Sequence, residues 1–348
     1  MFFSSRRFAS LLLSTTLLLT AVGPVSAQQT TQSFSDVPPS HPAYEAAEFL
    51  KSAGIISGYA DGTFKPDRKV NRAEALKIIV APLVKPEQLA TLTVTTFEDI
   101  ASTAWYLPYA EAARMNAIVD GPPAKPRFLG ENPVIKAEFL KMLELAYKVD
   151  PLASFSDIAL PLATDVASTS DWFYPYMRYA LASSMTMIST EGDLSPAREL
   201  TRGDTALLLH RFIMYQQGRR TQALLSEAEN EIIITLNMLE ADNVAQADFA
   251  SARALVAARG AHLKRSSEPV VQGAVKIAEA FRSLVNAYKT GKTGDLDGVI
   301  KLAGDAWNSA AKALSLSPTL KNISEQVQIL SKNMADSARA AKAAPAQQ

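Results

Sequence analysis

Residues 58–79 read GYADGTFKPDRKVNRAEALKII. Two glycines, a proline and a knot of charges give way abruptly to an apolar-periodic stretch, so the segment is a tight loop leading into a helix. Asn71 followed three residues later by Glu74 has the spacing of an N-terminal capping box, which places Arg72 at the first turn of that helix. Taken alone, the loop suits a metal site, a sugar site or a plain turn. An EF-hand is excluded, because DGTFKPD lacks the alternating acidic ligands and the closing Glu.

Self-similarity narrows the choice. FSDV at 34–37, FEDI at 97–100 and FSDI at 155–158 share an F-x-D opening. Each is followed by aromatic residues: Tyr44 and Phe49, then Trp105, Tyr106 and Tyr109, then Trp172, Phe173 and Tyr176. Second helices open at NRAEALKII (71), IKAEFLKML (135) and TRGDTALLL (201). The first and second copies align at an offset of 63 from Phe34 to Gly58. The first and third align at an offset of 130 from Pro42, which pairs Gly62 with Gly192, Pro66 with Pro196 and Arg72 with Arg202. The unit is helix, glycine loop, helix, and none of the three can bury its apolar stripe alone. Thr201 with Asp204 repeats the capping box, whereas Ile135 is a poorer start.

These units resemble S-layer homology (SLH) repeats, whose pattern runs F-x-D, an aromatic pair, GIIxGYxDGTFxPDxxITRAE and an apolar second helix. GIISGYADGTFKPDRKVNRAE, residues 54–74, matches nearly all of it, and the likeness extends from residue 34 to about 213. The resemblance implies a mainly α fold: three helix-loop-helix SLH repeats in a pseudo-threefold body, here over 34–95, 96–152 and 153–214. It also implies grooves between repeats that bind an anionic, often pyruvylated, secondary cell-wall polysaccharide, at the cell wall or S-layer of an exported protein. The residues suit that chemistry. A carboxylate-bearing sugar favours a planar cationic fork at a helix N-terminus, as Arg72 and Arg202 offer, with Lys136 in the second copy. Sugar faces stack on rings such as Trp105 and Trp172, and Gly58, Asp61 and Gly62 offer open backbone and an acceptor.

Each residue has a second reading. The arginines serve either a ligand or a salt bridge within the repeat, and the aromatics either groove or core. Asp36, Asp99 and Asp157, with Tyr44, are secondary candidates, since aspartates at such positions also cap helices and make turns. The copies also diverge. Pro42 stands where the family has Trp, GPPAKPRF (121–128) replaces GYADGTF, and STEGDLSPARELTRGD (189–204) has Leu194 in place of Phe64.

Residues 1–27 carry Arg6 and Arg7, an apolar run and a small-residue site at Val25 and Ala27, the pattern of a secretory signal peptide followed by a short linker at 28–33. Its removal takes the chain from 35 basic and 35 acidic residues to 33 and 35, so no basic stripe points to nucleic acid. Later apolar stretches are too broken by charge to span a membrane. The absence of cysteine excludes disulfides and thiolate metal sites. His41, His210 and His262 are scattered without metal spacing, no nucleophile or phosphate-loop motif is present, and neither enzyme, metal nor cofactor is expected.

From residue 215 to 340 helical stripes recur, as at Val271, Val275, Ala278, Phe281, Val285 and Tyr288, with turns at SSEP (266) and KTGKTGDLDG (289). An antiparallel helical bundle, folding independently of the repeats, is expected, then a disordered tail at 341–348. It serves either as a spacer or as a surface for self-association or other surface proteins. An envelope scaffold binding proteins through both halves is the alternative to a wall anchor.

Overall fold

A computed structural model describes residues 32–343. The signal-peptide and most of the linker positions, like residues 344–348, lie outside the described residues. Twelve helices follow in order among those residues: α1 (Tyr44–Ser52), α2 (Arg72–Val80), α3 (Pro86–Ala90), α4 (Leu107–Met115), α5 (Lys136–Ala146), α6 (Tyr174–Ala182), α7 (Arg202–Gln216), α8 (Thr221–Glu240), α9 (Val244–Lys264), α10 (Pro269–Lys292), α11 (Leu296–Leu316) and α12 (Lys321–Ala343). The fold is mainly α. Helix α12 continues through Ala343, three residues past the point where the chain was expected to lose structure.

The pairs α1/α2, α4/α5 and α6/α7 are three copies of one unit, joined by backbone. Val70 N–H donates to Leu200 O at 3.0 Å, Leu200 N–H to Val134 O at 3.0 Å, and Val134 N–H to Val70 O at 3.1 Å, closing a ring. All three side chains are buried. Two residues further on in each unit a matching set of bonds follows, where Arg72 N–H donates to Asn132 O, Lys136 N–H to Arg198 O and Arg202 N–H to Arg68 O. These pairings consume the donors that a helix start leaves without intrahelical partners. Around the ring each second helix packs on the next unit's first helix: α2 on α4, α5 on α6 and α7 on α1.

The helix starts follow the capping chemistry. Asn71 Oδ1 accepts from Glu74 N–H at 2.9 Å while Glu74 accepts from Asn71 N–H at 3.1 Å, and Thr201 and Asp204 repeat the exchange. At Ile135 only the Glu138 half exists, at 3.3 Å. In the loops Gly62 (φ +77°) and Gly192 (φ +89°) occupy matching left-handed positions, which glycine enters without steric penalty.

The F-x-D aspartates are structural latches. Asp36 accepts from Phe64 N–H and Lys65 N–H, both at 2.7 Å, and Asp99 accepts from Phe128 N–H and Leu129 N–H at 2.7 and 2.8 Å. In the third unit this part belongs to Asp165, which accepts from Leu194 N–H at 3.0 Å and Ser195 N–H at 2.6 Å. Asp157 is displaced from the pattern and instead pairs with Arg259 of α9 at 2.9 Å. The FSDI string at 155–158 is therefore not the third copy's opening, which is ATDV at 163–166.

The extra segment 150–162 carries contacts to the C-terminal helices. Arg253 of α9 donates to both Glu231 oxygens at 2.7 Å and, from Nη1, to Leu162 O at 2.7 Å, in a site closed to solvent. Helices α8 to α12 run as successive hairpins, each packed on the next. Helix α9 also lies so close to the end of α6 that a Cβ on Gly260 would overlap the Ala182 carbonyl, and Tyr215 Oη donates to Gly260 O at 3.0 Å. One apolar core runs through both halves, so the bundle is not the independent unit that the composition suggests.

Candidate functional site

The loop of the first unit, α2, the start of α4 and the start of α7 enclose a groove with a cavity of about 310 Å³, at the small end of the range for ligand pockets. Arg202 enters from the third unit. Its Nε donates to Phe64 O at 2.8 Å and its Nη2 to Ser57 O at 3.2 Å, while the guanidinium lies 4.7 Å from the Phe64 ring centroid and 5.1 Å from that of Tyr59. Cation–ring contact of this kind fixes the plane of the fork. Burial weakens its hold on the proton, but arginine starts from so high a pKa that it remains a cation.

On the opposite wall Lys77 of α2 holds its ammonium 5.5 Å from the Trp105 ring and 5.9 Å from Tyr109. Trp105 is 50 % exposed, braced edge-on by Tyr106 and Tyr109, and lines the groove with part of its indole surface open. Glu74 is neutralised by Arg68 at 2.5 Å and engaged in capping α2. The groove thus offers two cations, open aromatic surface and backbone, a combination suited to an anionic, partly apolar ligand such as an acidic sugar.

The loop itself is held by its own polar groups. Asp61 accepts from Thr63 N–H at 3.0 Å and Thr63 Oγ1 at 2.6 Å, and pairs with Lys65 at 3.5 Å. These hydrogen bonds from Thr63 lower its pKa. Gly58 admits no side chain, because a Cβ would strike the Phe34 ring and the Thr63 carbonyl. Gly62 turns the chain at a position open to solvent.

The remaining candidates are dispersed around the ring. Arg72 does not serve the loop that precedes it. It faces the second unit, 5.3 Å from the Phe128 ring and 3.9 Å from Glu138; Trp172, 52 % exposed, holds in the third unit the place that Trp105 holds in the second. Lys136 faces the third unit and donates to Leu194 O at 2.7 Å; it is only 7 % exposed, and burial, with Arg198 nearby, pulls its pKa down to about 8. Tyr44 opens α1 and packs against the core. His210 lies 5.0 Å from the Phe49 ring between α7 and α1. Lys77 and Tyr59 were not singled out from the sequence. Lys77 was detectable, since Lys141 occupies the matching place in KAEFLKML.

The ring and its grooves define a three-unit, helix-loop-helix repeat module. The S-layer homology domain matches residues 33–76 and 96–140, so the chain carries SLH repeats, and the backbone ring identifies 163–216 as the structural third. The surface-layer 125 kDa protein of Lysinibacillus sphaericus is 28% identical over 211 residues, 60% of this chain and 17% of that protein. S-layer protein EA1 of Bacillus anthracis is 28% identical over 185 residues, 53% of this chain and 20% of that protein. An amylopullulanase of Thermoanaerobacterium thermosulfurigenes is 25% identical over 171 residues, 48% of this chain and 9% of that enzyme. The matched regions span a fifth or less of these relatives' lengths. Over residues 33–76 and 96–140 the chain thus carries the S-layer homology domain, and over its N-terminal part it is similar to these surface-layer proteins.

Proposed function

We propose that the repeats anchor this chain, without catalysis, to an anionic and pyruvylated secondary cell-wall polysaccharide, and that the C-terminal helices are carried outward on that anchor. The observation that supports the reading best is the groove lined together by Arg202, Lys77 and the half-exposed Trp105. A ketal carboxylate fits between the two cations, and the sugar ring fits on the indole. The small cavity favours a terminal sugar unit over a long stretch of polymer.

Co-sedimentation of the purified protein with sacculi, before and after chemical removal of the polymer, tests the anchor. Retention only on intact sacculi is expected, and equal retention on stripped sacculi overturns it. Incubation with the polymer is expected to release no reducing ends, and their release assigns a hydrolase instead.

A further inference from the structure

The following rests on the anchoring reading. We infer that the chain engages its polymer through one groove only, because the second groove is neutralised by its own carboxylates and the third is filled from within and closed by α8.

The second groove keeps Arg72 and, at the sequence places of Trp105 and Lys77, Trp172 and Lys141, yet its charges cancel. Lys141 pairs with Asp120 at 3.5 Å, where the first groove has uncharged Ser57. Arg72 pairs with Glu138 at 3.9 Å, whereas the equivalent Glu74 is taken up by Arg68, whose counterpart in the second unit is uncharged Asn132. The first groove thus sets Arg202, Lys77 and Arg68 against Glu74 and the more distant Asp36, a surplus of one positive charge. The second sets Arg72 and Lys141 against Glu138 and Asp120, with no surplus. Pro122 also replaces Tyr59, removing one of the two rings beside the arginine fork.

The third groove has lost its binding groups. Pro42 stands at the place of Trp105 and Leu207 at that of Lys77. Lys136 is buried and committed to Leu194 O. The space left by Ala81 in the first groove is filled here by Arg211, which donates to Met185 O at 3.2 Å. Helix α8 closes on the start of this loop: Ser184 Oγ donates to Glu227 at 2.5 Å, Arg220 donates to Ser184 O at 3.3 Å, and Arg220 pairs with Glu227 at 3.7 Å. The third unit has exchanged ligand contacts for contacts with the C-terminal helices.

Calorimetry of the full chain with pyruvylated oligosaccharide fragments of the wall polymer tests this. One fragment per chain is expected. Arg202→Ala is expected to weaken binding at least about tenfold, the effect of losing one charge-assisted contact. Because Arg202 also links two repeats, Lys77→Ala serves as a second probe from a side chain that holds no backbone together, with a loss of about three- to tenfold expected. Arg72→Ala and Lys136→Ala are expected to stay within about twofold of wild type. Two or three fragments per chain, or a loss for Arg72→Ala equal to that for Arg202→Ala, overturns the single-groove assignment while leaving the anchor intact. No binding by the wild-type chain overturns the anchor itself and the assignment with it.

Discussion

Arg202 of the third repeat donates from Nε to the carbonyl oxygen of Phe64 in the first, 2.8 Å away and 138 residues earlier in the chain. The same handover joins Arg72 to the Phe128 ring and Lys136 to Leu194 O. Each motif cation therefore completes the loop of the neighbouring unit, and a repeat in isolation holds only half a groove. Arg202 consequently has two effects that separate on substitution. Arg202→Lys keeps the charge but cannot span both Phe64 O and Ser57 O, so both binding and melting temperature are expected to fall between those of wild type and Arg202→Ala. Trp105→Ala, at a half-exposed ring, is expected to weaken binding while the melt stays nearly unchanged. Equal melting temperatures for Arg202→Ala and wild type would remove the inter-repeat role.

The displaced third register gives a second expectation. Asp165→Ala leaves Leu194 N–H and Ser195 N–H without their carboxylate, as Asp36→Ala does for Phe64 and Lys65. Charge-assisted hydrogen bonds contribute about 1.5–3 kcal/mol each, so either variant is expected to lower stability by at least about 2 kcal/mol in denaturant unfolding. Asp157→Ala removes only an exposed ion pair to Arg259 and is expected to change stability by under about 1 kcal/mol. A loss for Asp157→Ala as large as for Asp165→Ala would restore FSDI as the third opening.

That contrast marks what the sequence could disclose. Capping boxes, left-handed glycines and the F-x-D latch are local chemistry, and Asn71, Gly62 and Asp36 perform it at the positions their spacing indicates. FSDI misleads because it reproduces the motif's letters eight residues too early, while the true latch lies in ATDV, which has Ala163 in place of the phenylalanine. The partner of each cation was hidden for another reason. Ring closure brings together residues more than fifty positions apart, and an arginine at a helix start is equally compatible with its own loop or the next. The shared core was hidden likewise, since a change in composition near residue 215 marks a change of architecture and not a break in packing.

The contact between α9 and α6 is tested at Gly260. Alanine is the better helix former by about 1 kcal/mol, so Gly260→Ala would stabilise α9 if space allowed. Its Cβ would instead meet the Ala182 backbone, which cannot rotate away as a flexible side chain can. Overpacking of this kind costs about 1–3 kcal/mol or more. Gly260→Ala is expected to lower the melting temperature, and Gly304→Ala, in open space on α11, to raise it slightly. An increase for both variants would show that α9 and α6 do not touch in solution.

Glu144 supplies a pH-dependent test. It lies in α5, fully buried, and neither carboxyl oxygen has a hydrogen-bond partner. Burial pushes its pKa well above the usual carboxylate range, and the titratable groups in its field, Tyr176 and Tyr179 of α6, are themselves raised by burial. The folded protein therefore holds Glu144 as the neutral acid. Below the unfolded value of about 4.3 both states carry the proton and the full stability is present. As pH rises past that value, the unfolded chain ionises first, and stability is lost until the folded pKa is passed. Glu144→Met removes the titration and the unpartnered oxygens at similar volume. Its unfolding free energy is expected to exceed that of wild type by about 1–3 kcal/mol already near pH 4, the scale for a buried neutral polar group without a partner, and by a growing margin as pH rises to 7. Urea unfolding at each half pH unit between 4 and 8 reads this directly, and parallel curves for the two proteins would mean that Glu144 finds a partner or a path to water when the protein folds.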